Sequence, residues 1–433
     1  MRAIETIKNI WKIEDLRKRI ITTILLVLVY RVGSYVVLPG IDPANLDALR
    51  SQTSKGLMQL LDMFSGGAFS NASIFALGIM PYITASIVIQ LLGMVMPSFQ
   101  KLQREGESGR TKLNQYTRYL TVIILLMQGP AYLVNLKVQM GSALFPSGWL
   151  FIVSSTIVLA AGSMFIMWLG ERITDKGIGN GVSIIIMIGI IARLPFAFFA
   201  ELTSRVSEFT SRLASKQGGL VMFLIEIIFL LAVIAAAILL VQGTRKVPVQ
   251  YAKRIVGNKQ YGGARQYIPL KVNTAGVMPI IFAQAIMFIP ITIAGFSASN
   301  ASSFWSSFMS MTGFWYNFVF AILIILFTYF YTAITVQPTQ MAEDMKRNNG
   351  FIPGVKPGKK TADYLDSIMS RITLPGSIFL AIVAILPAFA QICGVSAEFS
   401  QFFGGTSLLI LVGVVLDTLQ QIESHLMMRH YDG

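Results

Sequence analysis

Charge is scarce in this 433-residue chain. Asp, Glu, Lys and Arg make up only 13% of it while 54% is hydrophobic, whereas a soluble globular domain is about 25% charged. That balance excludes a soluble enzyme, an extended disordered chain and a collagen-like fibre. There is one cysteine, Cys393, and there are two histidines, His425 and His430. An internal disulfide and a thiolate metal cluster are therefore excluded, and neither a zinc site nor a histidine-based triad is expected. No metal, cofactor or catalytic residue is expected. What the chain has in quantity is apolar sequence, enough for about ten helices if each needs about 20 residues to cross the hydrocarbon core.

Apolar runs at roughly 20–38, 73–95, 117–136, 150–170, 182–200, 219–241, 274–294, 315–336, 372–392 and 404–424 read as those ten spans. Residues 1–19 carry six bases and three acids, with Ile4, Ile7 and Trp11 on one helical face. They read as a cytosolic amphipathic helix, and no small-residue cleavage site follows that would make them a signal peptide. If the N-terminus is cytosolic and the spans alternate, the cytosolic segments hold 27 of the 35 bases and 13 of the 21 acids, and so carry the whole +14 excess. The positive-inside bias expects that orientation, with both termini in the cytosol. Five spans precede residue 200 and five follow residue 218, so halves 20–203 and 219–426 must run in opposite directions. The expected fold is an all-α polytopic membrane protein of ten helices in two inverted five-helix halves. Residues 204–218 would be an external hinge and 427–433 a cytosolic tail.

Two cytosolic loops stand out, 242–273 and 337–371. The first holds Arg245, Lys246, Lys253, Arg254, Lys259, Arg265 and Lys271 without one acid, interleaved with Tyr251, Tyr261 and Tyr267. Orientation and attraction to anionic lipid account for some of this charge, but a basic, aromatic-bearing projection also suits RNA phosphate or an acidic protein surface. The run Gly354 to Thr361 lacks the spacing of a phosphate loop, and Gly177 to Val182 lacks the last glycine of a dinucleotide fingerprint. Arg31, Glu226 and Asp417 fall inside spans but close enough to their ends for snorkelling. The segment 57–72, LMQLLDMFSGGAFSNA, has helical apolar spacing, is too short to span, and breaks at Gly66-Gly67. It reads as either an interfacial helix or a re-entrant plug.

RVGSYVVLPGID (31–42), MFSGGAFSNASIFALGIMPYITASIVIQLL (63–92), EGESGRTKLNQYTRY (105–119), WLGERITDKGIGNGVSIII (168–186), YAKR (251–254), IPLKVNTAGVMPIIFA (268–283) and FGGTSLLI (403–410) together resemble the bacterial SecY family, the channel subunits of the Sec translocon. The resemblance implies a protein-conducting channel of the bacterial inner membrane with no enzymatic site. It would be a ten-span clamshell associated with SecE and SecG subunits and driven by a ribosome or the SecA motor. Its substrates would be signal-bearing polypeptides, and it would release apolar segments into membrane lipid.

By the same resemblance, Ile79, Ile83, Ile186, Ile281 and Ile410 match the family's aliphatic pore ring, and a sixth position is unassigned. Residues 57–72 become the plug, including Leu60, Leu61, Met63 and Phe64, with Gly66 and Gly67 as its hinge. Thr84, Gln128, Asn273 and Gln284 become polar residues of a lateral gate, although ordinary helix-to-helix hydrogen bonding is an equal reading. Arg254 matches an arginine that docks the ribosome, through rRNA contact, or the motor. Arg245 and Lys246 are grouped with it. In the second loop Lys356, within PGVKPG, stands where the family pattern has arginine and so lacks the planar bidentate fork. The rival readings are a secondary solute transporter with inverted repeats, which needs a polar midplane site, and a lipid flippase, which needs a hydrophilic groove.

Overall fold

The computed structural model describes residues 11, 13–43, 46, 62–140, 148–211, 219–251, 254–256, 259–261, 265–284, 286–287 and 312–431. Seven helices among them are long and apolar enough to cross a membrane, and an eighth span results if Met80–Gly93 and Pro97–Gln103, bent by 103°, are taken together. The chain divides into two compact units. One comprises Met1–Ser215, Ser396–Phe399 and Val414–Gly433, the other Lys216–Val395 and Ser400–Gly413.

In the first unit α1 (Glu14–Gly33) carries Arg17, Lys18 and Arg19 of the basic N-terminal stretch into the first apolar run, and Ile13 before it is extended; residues 1–10 and 12, with Ile4 and Ile7 of the expected amphipathic helix, lie outside the described residues. Ile24, Leu25, Leu28 and Val32 are exposed on it, as lipid-facing side chains of a span should be. The helix stops at Gly33, five residues short of the expected end. Val36 and Val37 leave it to meet the turns that precede the second span, through an Ile74 N–H bond to the Val36 carbonyl and a Val37–Ser73 bridge. The second span is helical only from Met80, as α2 (Met80–Val95). Gly78 at φ +57° breaks the preceding chain, and Pro81 in the first turn suits a helix start. After α3 (Pro97–Arg104) come α4 (Glu107–Met140), α5 (Trp149–Lys176) and α6 (Gly181–Ser211). The last of these runs eight residues into the stretch expected as a hinge. A buried Glu201–Arg205 pair one turn apart, 2.8 Å, carries the helix onward.

The second unit holds α7 (Gly219–Gln242), α8 (Phe314–Thr335), α9 (Pro338–Arg347) and α10 (Lys359–Ile392). The seventh apolar run is described through residues 278–284 and 286–287, which are helical. Short α11 (Ala397–Ser400) and α12 (Gly405–Tyr431) complete the chain, and Val414 onward in α12 belongs with the first unit.

The first basic loop is built from strands rather than helix, whereas α9 and the start of α10 lie in the second. Loop 242–273 forms β1 (Thr244–Tyr251), β2 (Arg254–Val256), β3 (Lys259–Tyr261) and β4 (Arg265–Lys271), and the second loop contributes β5 (Gly350–Phe351). The three-stranded antiparallel sheet has the order β4-β1-β5, pairing Val247 with Ile268 and Gln250 with Phe351. Val247 and Val249, two positions apart, are buried while Lys246 and Pro248 are exposed, which is the physical reason, because one face of the strand can be buried and the other left wet.

Candidate functional site

The described part of segment 57–72, from Asp62 onward, is helical to Phe64 and then a chain of tight turns in the first unit, almost entirely buried. Gly66 and Gly67 adopt φ +65° and +91°, values an L side chain resists. Three neighbouring elements grip this turn. From α1, the Tyr30 hydroxyl donates to the Ser65 carbonyl at 3.0 Å and Arg31 donates to the Gly66 carbonyl at 2.8 Å. From α4, Tyr132 donates to the Phe69 carbonyl at 2.9 Å. On α6, Gly189 lets the turn approach so closely that a Cβ there would lie 3.0 Å from the Phe64 oxygen. Farther along α6, Arg193 forms an ion pair with Asp62 and donates to Ser70 Oγ at 2.8 Å. Leu60 and Leu61 lie outside the described residues.

Of the five matched isoleucines, Ile79, Ile83 and Ile186 lie in the first unit and Ile281 and Ile410 in the second. Ile79 caps α2, and the Ile83 N–H donates to its carbonyl at 3.1 Å, so the two sit one turn apart on one helical face. Ile79, Ile83, Ile186 and Ile410 are buried and Ile281 is half-buried. An aliphatic constriction needs such residues, since a narrow apolar neck sheds water and blocks ions.

The four polar gate positions differ from one another. Thr84 donates to the Met80 carbonyl of its own helix at 3.1 Å, and Gln128 is exposed on α4. Asn273 and Gln284 are both buried. Gln284 Nε2 donates to the Tyr316 hydroxyl at 3.4 Å, joining the seventh apolar run to α8, while Asn273 Oδ1 has no hydrogen-bond partner among the described residues.

The sheet joins the two basic loops into one platform on the second unit. Val247, Val249 and Leu270 pack with Met345 of α9, Ile352, and Leu365 and Met369 at the start of α10. Arg245 and Lys246 are both exposed on β1, Arg254 is in register with Tyr261 on the β2–β3 hairpin, and Lys356 is exposed between Gly354 and Gly358, both at positive φ. Alternation in TRKVPVQY was the available sign of a strand, and charge counting passes over it.

Other functional candidates were not evident as pairs. Asp62 and Arg193 lie 131 positions apart, and nothing local in either stretch marks the other. Arg31 reads as a snorkelling base from its place in the span, yet its guanidinium lies over the Tyr35 ring and holds the turn at Gly66. Glu226 is buried rather than turned toward a surface, while Asp417 is exposed.

Comparison with known proteins accounts for the pattern as a whole. The SecY family model matches residues 73–419. The "Protein translocase subunit SecY" of Halalkalibacterium halodurans is 44% identical, with 99% of each chain covered, and that of Mycobacterium tuberculosis strain H37Rv is 42% identical, with 97% of each covered. Among solved structures, one described as "The structure of a protein conducting channel" superposes with a TM-score of 0.63 at 18% identity, covering 94% of this chain and 92% of that one. Sec61 in the canine ribosome-channel complex from the endoplasmic reticulum gives 0.59 at 17% identity, with the same coverage. With a family match across most of its length and relatives above 40% identity over nearly all of it, the chain belongs to the SecY family.

Proposed function

We propose that this chain is the protein-conducting channel subunit of a bacterial Sec translocon, passing unfolded signal-bearing polypeptides across the inner membrane and releasing apolar segments sideways into lipid. The observation that carries this reading is identity of 41–44% over at least 97% of the chain to translocase subunits of that name. It is a multi-pass membrane protein and not an enzyme, so the free energy for transport comes from a ribosome or a SecA-type motor. The solute-transporter reading has no support from these relatives.

In this reading Ile79, Ile83, Ile186, Ile281 and Ile410 contribute the aliphatic ring, which excludes ions while empty and yields around a passing chain. Residues 57–72 are the plug, and the turn at Gly66-Gly67 is its hinge. Thr84, Gln128, Asn273 and Gln284 line the lateral gate. The halves are 20–203 and 219–426, with the termini in the cytosol as the charge partition favours. Arg245, Lys246, Arg254 and Lys356 on the platform meet rRNA phosphate or the motor. Ribosome-bound Sec61 and Ssh1 channels are solved relatives of this fold, which supports the ribosome as a partner. SecE and SecG complete the complex.

The test is transport in proteoliposomes that hold the purified complex and the motor. A signal-bearing precursor should become protected from external protease on ATP addition, with no net uptake of small solutes. Solute accumulation without precursor protection would sink the reading.

A further inference from the structure

We propose that Asp62, Ser70 and Arg193 form a polar clasp that holds the plug in its seat and sets how readily the channel opens. This rests on the reading of 57–72 as the plug. Asp62 is 7% exposed and accepts the Ser70 backbone N–H on Oδ1 at 2.8 Å. Its other oxygen, Oδ2, is paired with Arg193 of α6, whose Nη2 also donates to Ser70 Oγ at 2.8 Å. The three residues thus close a triangle around the Gly66-Gly67 turn, with the Asp62–Ser70 edge made through the Ser70 backbone. A Cβ on Gly67 would lie 3.2 Å from the Arg193 guanidinium, so the arginine lies directly against the hinge.

The two kinds of bond made by Asp62 have different fates when the segment moves. The Ser70 N–H lies within the segment and travels with it, keeping one donor on the carboxylate. The Arg193 bonds come from a separate helix and must break. A carboxylate buried away from water is costly to leave without a counter-charge, so the pair favours the seated position. It is also reversible, because the Arg193 side chain is one third exposed and can hydrate once released. Arg31 makes a different contact, to the neutral Gly66 carbonyl, and so contributes position without a counter-charge. The clasp therefore makes Arg193 and Asp62 positioning residues for the seal, separate from the aliphatic ring.

The experiment uses the full chain in its purified complex, reconstituted in bilayers, with single-channel or bulk ion leak as the readout and thermal unfolding measured in parallel. Asp62→Asn keeps the side chain's shape and removes the charge; Arg193→Gln removes the counter-charge. Each should raise leak by roughly tenfold, within the range that coupled neighbours span, and the double variant should leak no more than the worse single one. Arg193→Lys, which keeps the charge, should recover much of the seal. A variant lacking residues 57–72 runs alongside. If it leaks while the clasp variants seal like wild type, the clasp is wrong and the plug reading stands. If it seals like wild type, the plug reading fails and the clasp falls with it. Additive single effects, or Arg193→Lys leaking as much as Arg193→Gln, would make these residues ordinary packing and overturn the proposal.

Discussion

Ile410→Asn separates a pore-lining role from a packing role, because its neighbour offers a matched comparison. Ile410 and Leu409 are 2% and 1% exposed on the same helix, but the helical period turns them about 100° apart. At a packed site, exchanging a large aliphatic residue for asparagine forfeits about 1.5–3 kcal/mol of apolar burial. It also buries an amide at a cost of about 1–3 kcal/mol when no partner is within reach. Leu409→Asn should incur both terms and lose roughly 3–6 kcal/mol of stability. At a constriction the amide can instead draw in water, so Ile410→Asn should escape the second term and show its effect as wetting of the neck. The assay pairs thermal unfolding of the solubilised complex with ion conductance in planar bilayers. Ile410→Asn should conduct measurably at rest and unfold only modestly earlier than wild type, while Leu409→Asn should unfold much earlier and, in the fraction that assembles, conduct like wild type. Equal destabilisation with wild-type conductance in both would show Ile410 to be a packing residue and not part of a constriction.

Other outcomes follow from the same physics. Cysteines placed at Lys259 and Lys359 should react with impermeant reagent only from the cytosolic side, and those at Ser302 and Glu398 only from outside; labelling of position 259 from outside would reverse the orientation. Leu365→Ala, at a site 1% exposed beneath the basic platform, should cost about 2–5 kcal/mol and weaken ribosome or motor binding without raising ion leak, and a leak with intact binding would contradict the placement. Glu201→Ala should leave Arg205 buried without the carboxylate that also accepts the Ser396 N–H at 3.0 Å, lowering stability by about 3–5 kcal/mol; a thermal unfolding curve unchanged from wild type would show the pair to be dispensable.

The spans were legible because hydropathy is summed over about twenty residues, so a single misplaced residue hardly matters. Their ends were less so. Nothing in the composition of 73–79 distinguishes it from the helix that follows; the conformations at Gly78 and Pro81 do. The platform was half legible. Seven bases without an acid mark the loop, yet the β1–β5 pairing joins Gln250 to Phe351 across a hundred positions that no local pattern spans. The matched isoleucines were legible only through the family's ordered motifs, since isoleucine is common in any span. The contacts around the Gly66-Gly67 turn were the least legible, because Arg193 and Asp62 meet only once α6 and that turn are folded against each other.

If polypeptide passes through the proposed ring of this chain, site-specific photocrosslinking will capture it there. A photoreactive residue is placed in turn at Ile79, Ile83, Ile186, Ile281 and Ile410, with Ile188 as the off-axis position about 200° from Ile186. A precursor is then arrested midway through transport by a folded C-terminal domain. Adducts to the arrested chain are expected at all five ring positions, dependent on the motor and ATP, with little at Ile188. Efficient transport with adducts at none of the five, or at Ile188 as strongly as at Ile186, would contradict passage through the ring.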